Sequence, residues 1–160
     1  MKATLLLLLT TSVLCAQTVK PLYMPDRKLT PGVALTNATV AAILTKGYAG
    51  KTRHVSDSTK QEVYLRHHQD PHLAPCPCEV DHLISLELGG ANDIKNLWPQ
   101  PYNGNWNARQ KDKLEGWLHQ QIKEGKITFA EAQRKIATNW TNTYAEAFPK
   151  CKSMIQQWHA

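Results

Sequence analysis

The fold is decided by the stretch Cys78-Glu79-Val80-Asp81-His82-Leu83-Ile84-Ser85-Leu86, which leads through Gly89-Gly90 to Asn96-Leu97-Trp98-Pro99. Apolar and β-branched residues in the first run predict a short strand. The glycine pair predicts a turn with positive φ, and the last run predicts a short returning strand that ends at its proline. We therefore expect a β-hairpin in the middle of the chain.

Two helices are predicted after the hairpin. The first runs from about Trp106 to Lys123 and ends near Gly125, with apolar residues at helical spacing. The second begins at the capping box Thr128-Phe129-Ala130-Glu131. Its apolar residues fall on one face, and the aromatic ones are interpreted as core rather than as a base-stacking surface: Phe129, Ala132, Ile136, Trp140 and Tyr144.

Before the hairpin, residues 17–35 predict an extended lead-in that prolines interrupt. Thr36-Asn37 can cap a short helix that ends near Gly47, and Ser56 to His67 predicts another. The expected fold class is α+β, mostly helical, with a small ββα hairpin-helix core at about 78–123. A single domain over 36–160 is expected.

The first residues predict a signal peptide over 1–16. Met1-Lys2 is a short basic start, an apolar run with five consecutive leucines follows, and Cys15-Ala16-Gln17 closes it with small residues. The apolar run is too short for a bilayer core that needs roughly 20 residues. We expect a secreted or periplasmic protein without membrane association after cleavage, with a lipid-modified Cys15 as the alternative.

The net charge and the cysteine content are weaker indicators of the partner and of the type of stabilisation. The formal net charge of +6 suits a polyanionic partner, although many exported domains are basic. After the leader three cysteines remain in an oxidising compartment, and a bridge from Cys151 to Cys76 or Cys78 is the preferred pairing. The competing interpretation is a zinc site that uses Cys76, Cys78, His82 and His72, although the spacing of the two cysteines departs from the usual zinc clip.

Asp81 and His82 are the residues most suited to chemistry. A carboxylate can hold Mg²⁺ or a similar ion, and a histidine can take a proton from an attacking water. Neighbours in a regular strand point to opposite faces, so the strand must bend or end here if both serve one site. A surface Asp-His pair at a hairpin is the simpler alternative.

The motifs Glu79-Val80-Asp81-His82-Leu83, Leu86-Glu87-Leu88-Gly89-Gly90-Ala91-Asn92 and Asn96-Leu97-Trp98-Pro99-Gln100-Pro101 resemble HNH endonucleases of the ββα-metal superfamily. Further similarity to small exported bacterial HNH proteins extends over roughly residues 29 to 145. The resemblance implies metal-dependent hydrolysis of phosphodiester bonds, leaving 5′-phosphate and 3′-hydroxyl ends.

The resemblance also implies roles for individual residues. His82 matches the general base, Asn96 the asparagine that orients that histidine, and Asp81 a metal ligand. The third motif position departs from the simplest form, because Asn105 stands where a histidine is usual. Asn105 is the preferred second ligand; Asn107 could instead hold the metal or cap a helix with Gln110, and Asp112 is a remote third candidate. The expected cofactor is Mg²⁺ or Mn²⁺.

Basic residues near the motif are candidates for holding the nucleic acid: Arg53, Arg109, Lys111 and Lys113. DNA is favoured over RNA as the partner, and low sequence specificity is expected because no separate reader domain is visible. Two alternatives stay open. One is a non-catalytic nucleic-acid-binding module on the same fold, and the other is a disulfide- or zinc-stabilised exported protein of unrelated function.

Overall fold

The computed structural model describes residues 24–72 and 77–149, and this part of the chain combines helices with an antiparallel sheet, as expected for an α+β fold. The predicted signal peptide lies outside the described residues. The α-helices are α1 (Val40–Ile43), α2 (Tyr48–Thr52), α3 (Asp57–Arg66), α4 (Ala108–Lys123) and α5 (Phe129–Ala147). The strands are β1 (Cys78–His82) and β2 (Leu97–Pro101), and two single-turn 3₁₀ helices span Leu86–Leu88 and Ile94–Asn96.

The predicted hairpin is present, but its strands and its turn differ from the expectation. β1 ends at His82, which pairs with Leu97, and does not continue to Leu86. A long connection with the two 3₁₀ helices therefore replaces a tight turn. The connection brings Gly90 against the backbone, where a Cβ would lie 1.7 Å from the carbonyl oxygen of Ile84. Only Gly89 of the glycine pair has positive φ, at 71°.

The described part of the lead-in belongs to the same structural unit as the hairpin. The Gly32 amide donates to the Lys95 carbonyl, and the Leu35 amide donates to the Gly89 carbonyl at 2.9 Å. Ala34 also forms an isolated bridge with Gly90. A boundary at residue 36 therefore does not separate two structural units among the described residues.

The first helices match the sequence only in part. Thr39, not Thr36, caps α1, and the five-residue helix α2 was not predicted. Ser56 caps α3 as expected, through a bond from the Thr59 amide. Helix α3 is held against β1 because the Tyr64 hydroxyl donates to the Cys78 carbonyl at 2.9 Å.

The two long helices follow β2 and close the core. Helix α4 begins after a capping box between Asn107 and Gln110, and Trp106 lies outside it with φ of 61°. Thr128 caps α5, which is interrupted at Asn139, where φ is −161° and ψ is 85°. The predicted apolar face of α5 packs against α4 in the main core cluster.

Within residues 24–72 and 77–149, no helix is both long and apolar enough to cross a membrane. The candidate site lies where β1 ends and Lys111 of α4 contacts it.

Candidate active site

A cleft of about 230 Å³ lies at the end of β1, between α2, the Leu86–Leu88 turn and α4. Its polar and charged lining residues are Arg53, Asp81, His82, Ser85, Glu87, Asp112 and Glu115. A larger depression of about 630 Å³ lies along α3 beside Tyr64 and Leu65, but it shares no lining residue with this cleft. The smaller cleft therefore contains Asp81 and His82, the residues predicted to be most suited to chemistry.

Asp81 and His82 line the same cleft although they are neighbours in a strand. This arrangement is possible because β1 ends at His82, so the regular alternation of side chains stops there. The strand thus ends at the position where a site shared by both residues requires it to bend or end. Both residues are buried, with His82 only 1% exposed.

His82 is oriented by Asn92. Its Nε2 lies 3.0 Å from Oδ1 of Asn92, whose amide nitrogen donates to the Thr52 carbonyl at 2.7 Å. The asparagine oxygen therefore faces the ring and can only accept, so Nε2 donates and Nδ1 carries the lone pair when the ring is neutral. Nδ1 is buried and has no hydrogen-bond partner among the described residues. Burial lowers the pKa of His82, against opposing effects from Asn92 and Asp81.

Asn96, expected to orient His82, has a different role in the structure. Its Oδ1 accepts hydrogen bonds from the Val33 and Ile84 amides. Its Nδ2 donates to the Ile84 and Ala91 carbonyls, both at 2.9 Å. The fully buried side chain thus joins the lead-in to the connection between the strands.

Asn92 was the residue that sequence reasoning missed. It stands in Gly89-Gly90-Ala91-Asn92-Asp93, which was interpreted as turn chemistry. An asparagine in a turn usually bonds to its own backbone, and its local sequence does not show that it reaches a histidine in a preceding strand. Its position in the stretch that resembles HNH proteins was the available signal.

Lys111 was predicted to bind nucleic acid, but its side chain is fully buried beneath the cleft. Its ammonium donates to Oδ2 of Asp81 at 2.6 Å, to the His82 carbonyl at 2.7 Å and to Glu115. All three protons are used, so Lys111 is not available to a phosphate group. Burial by itself would lower the pKa of Lys111, but Asp81 and Glu115 outweigh it and raise the pKa.

The cleft carries an excess of carboxylates. Burial raises the pKa of Glu115, with a further rise from Asp81 that Lys111 opposes. Burial and Asp81 likewise raise the pKa of Asp112. With Glu87, four carboxyl groups line the cleft; Asp81 and Glu115 are paired with Lys111, and Arg53 is the arginine among the lining residues. Hard oxygen donors in such excess suit a divalent cation, because a cation would relieve their mutual repulsion.

The two asparagines predicted as metal ligands do not line this cleft. Asn107 caps α4 through the Gln110 amide and donates to the Gly104 carbonyl, so the capping alternative is the one observed. Asn105 is exposed in the preceding loop. In the part of the chain that the structure covers, no group of three or more His, Cys, Asp and Glu residues is placed to hold a metal ion.

The remaining predicted site residues separate into two sets. Arg53 lines the cleft. Arg109 is exposed on the first turn of α4, and the Lys113 ammonium lies 4.3 Å from the centre of the Phe148 ring; neither lines the cleft. Cys78 is disulfide-bonded, which argues against its use as a zinc thiolate; the other cysteines lie outside the described residues.

No protein-family model matches the chain, and no curated protein or solved structure matches it either.

Proposed function

We propose that the chain is an exported, metal-dependent HNH endonuclease that hydrolyses phosphodiester bonds with low sequence specificity and acts on DNA in preference to RNA. The observation that carries the proposal is the cleft at the end of β1. There Asp81 and His82, at the end of a hairpin strand, line one cleft with Asp112 of the helix that follows the hairpin and with Arg53 at the end of α2. Carboxylates, a neutral imidazole and an arginine are the groups that such a hydrolysis requires.

His82 is the proposed general base. Its lowered pKa keeps the ring neutral at neutral pH, and the bond to Asn92 selects the tautomer whose free lone pair is on Nδ1. The water to be deprotonated must reach this enclosed nitrogen. The proposal requires a water to enter from the cleft of about 230 Å³ that His82 lines, since Nδ1 itself is buried in the structure.

The proposed cation would be held by Asp81 and Asp112. Mg²⁺ commonly binds through one or two carboxylates and completes its shell with waters and substrate phosphates, so a site of this kind does not need a three-residue cluster. When bound, the cation supplies charge stabilisation for the phosphate and for the leaving oxygen. Without it, the carboxylates that line the cleft would repel a phosphodiester. Arg53 is the side chain of the cleft that can contact a phosphate oxygen directly.

One observation favours a second candidate function. His82 is 1% exposed, and this enclosure also fits a non-catalytic nucleic-acid-binding module in which the histidine only supports the hairpin. The disulfide bond of Cys78 agrees with export under either function.

The test is cleavage of plasmid DNA and of RNA by the purified protein with Mg²⁺, Mn²⁺ or a chelator. His82→Gln and Asp81→Asn are compared with His72→Gln, a control at an exposed histidine. We expect metal-dependent nicking that the first two variants lose and the control retains, with far-UV circular dichroism showing that all are folded. Binding without cleavage would favour the second candidate, and full activity of His82→Gln would refute the mechanism.

A further inference from the structure

A further depression lies beside the cleft and is distinct from the one along α3 near Tyr64 and Leu65. Its volume is also about 630 Å³, and it lies between the α2–α3 loop, the first turns of α3 and β1. We call it the basic groove; its lining residues are Arg53, His54, Val55, Ser56, Lys60 and Val80. Arg53 lines both the groove and the cleft. A chain that lies along the groove would therefore run directly into the cleft.

The two depressions have opposite charge. Four carboxylates line the cleft, whereas the groove is lined by Arg53, Lys60 and His54 and by no carboxylate. Lys60 forms an ion pair with Asp57 at 2.8 Å, but its side chain stays 48% exposed and that of Asp57 is 93% exposed. Exposed pairs of this kind contribute little, so a phosphate can replace the carboxylate at low cost.

The side chain of Asn92 connects the basic groove to His82. Oδ1 of Asn92 accepts from Nε2 of His82 and also, at 3.3 Å, from the backbone amide of His54. The Nδ2 atom of Asn92 donates to the Thr52 carbonyl. The loop that carries Arg53 is therefore attached on both sides to the residue that orients the proposed base. A phosphate bound in the groove would lie at a defined position relative to His82.

We propose that the basic groove binds the phosphodiester backbone of the substrate strand beside the bond that is cut, with Arg53 at the junction and Lys60 farther along the strand. The proposal rests on the proposed function and specifies its substrate path. It replaces the path along the start of α4, where Lys111 is fully buried and Lys113 lies over Phe148. Contacts to the backbone alone would give binding without sequence preference.

Lys60 is the residue to substitute in the test, because it lines the groove and lies outside the cleft. Binding of a fluorescein-labelled DNA duplex and of a labelled RNA strand is followed by anisotropy over a salt series with chelator present, so that neither probe is cut. Lys60→Gln should bind roughly five- to tenfold more weakly at low salt, and the slope of log K against log salt should fall by about one.

Two further variants separate a phosphate contact from a general effect of charge. Asp57→Asn removes the carboxylate that competes for Lys60 and should tighten binding. Lys123→Gln removes another exposed lysine, at the far end of α4, and should stay close to the wild-type affinity. In plasmid cleavage with Mg²⁺, Lys60→Gln should raise KM and leave kcat nearly unchanged, because the residue lies away from the cut bond.

The outcomes distinguish the groove from the nuclease. Unchanged binding and salt slope in Lys60→Gln would overturn the groove, even if the wild-type protein cuts DNA. A reduced slope together with no cleavage by the wild-type protein would support the groove and count against the nuclease. Preference for the duplex or for the RNA strand in the wild-type data would identify which nucleic acid supplies the backbone.

Discussion

At the scale of single residues, the candidate site depends on two asparagines whose roles differ from the simplest reading of the motif. Asn92 contacts the imidazole of His82, whereas Asn96 bonds only to backbone groups among the contacts described. The first is placed to affect chemistry and the second to affect stability. This difference can be measured.

Asn92→Ala should reduce kcat roughly 10- to 100-fold, as loss of a partner that orients a functional histidine does elsewhere, with a modest loss of stability. Asn96→Ala should instead lower the unfolding free energy by roughly 3 kcal/mol, because it leaves buried amides and carbonyls without partners. Plasmid-cleavage kinetics and thermal unfolding of both variants test the contrast. Equal losses of activity and stability in the two variants would contradict it.

The buried ion cluster around Lys111 gives a second prediction. Lys111→Met should destabilise the protein by about 3–5 kcal/mol, since Asp81 and Glu115 would remain buried without their cation. Adding Glu115→Gln should recover part of this loss, because Glu115, whose pKa burial raises to about 8 even beside Lys111, must otherwise take up a proton on folding. Chemical denaturation measures all three free energies, and Lys113→Met serves as a control at an exposed lysine of the same helix.

At the scale of elements, the connection between β1 and β2 is shaped by one close backbone approach. Gly90→Ala would place a Cβ at 1.7 Å from the Ile84 carbonyl oxygen, so the backbone must move. We expect a loss of several kcal/mol, or failure to fold, and loss of cleavage. Gly116→Ala in α4 meets no atom within 4 Å and should stabilise the protein by roughly 0.5–1 kcal/mol. Thermal unfolding of the pair is the measurement, and a tolerated Gly90→Ala would contradict the close packing.

Elements were predictable where short-range patterns define them. Ser56 and Thr128 were identified as starts of α3 and α5 because a capping side chain acts within one turn of its helix. Helix α2 escaped prediction because it has five residues and none of them is buried, so no apolar period marks it. The end of β1 at His82 was expected only as the condition for a shared site, since the apolar run continues beyond it to Leu86.

At the scale of the whole molecule, the lead-in, α3 and β2 meet at Thr30. Its hydroxyl donates to the Leu97 carbonyl at 2.9 Å and lies 3.2 Å from Nε2 of His67, which therefore donates to it. Burial is the main cause that lowers the pKa of His67. The folded protein thus binds a proton at this position less readily than the unfolded chain does.

This difference predicts a pH dependence of stability. Because the pKa of His67 is lowered on folding from the ordinary value of 6.5, its contribution is fully present above pH 6.5 and is lost as the pH falls towards the folded-state value. His67→Gln should have a flatter curve of unfolding free energy against pH between about pH 5 and 8. His72→Gln, at an exposed histidine, should follow the wild type. Parallel curves for wild type and His67→Gln would contradict the assignment.

The sequence by itself determined the order of hairpin and helices, the two long helices, and Asp81 and His82 as the candidate functional residues. It could do so because turn residues, helix caps and apolar periodicity act over a few neighbouring positions. Only the tertiary structure decided that Asn92 orients His82, that Lys111 is buried beneath the cleft and that the lead-in joins the hairpin connection. These outcomes depend on contacts between segments far apart in the chain. A lysine on the first turns of a helix has the same local sequence whether it points to solvent or to a buried carboxylate.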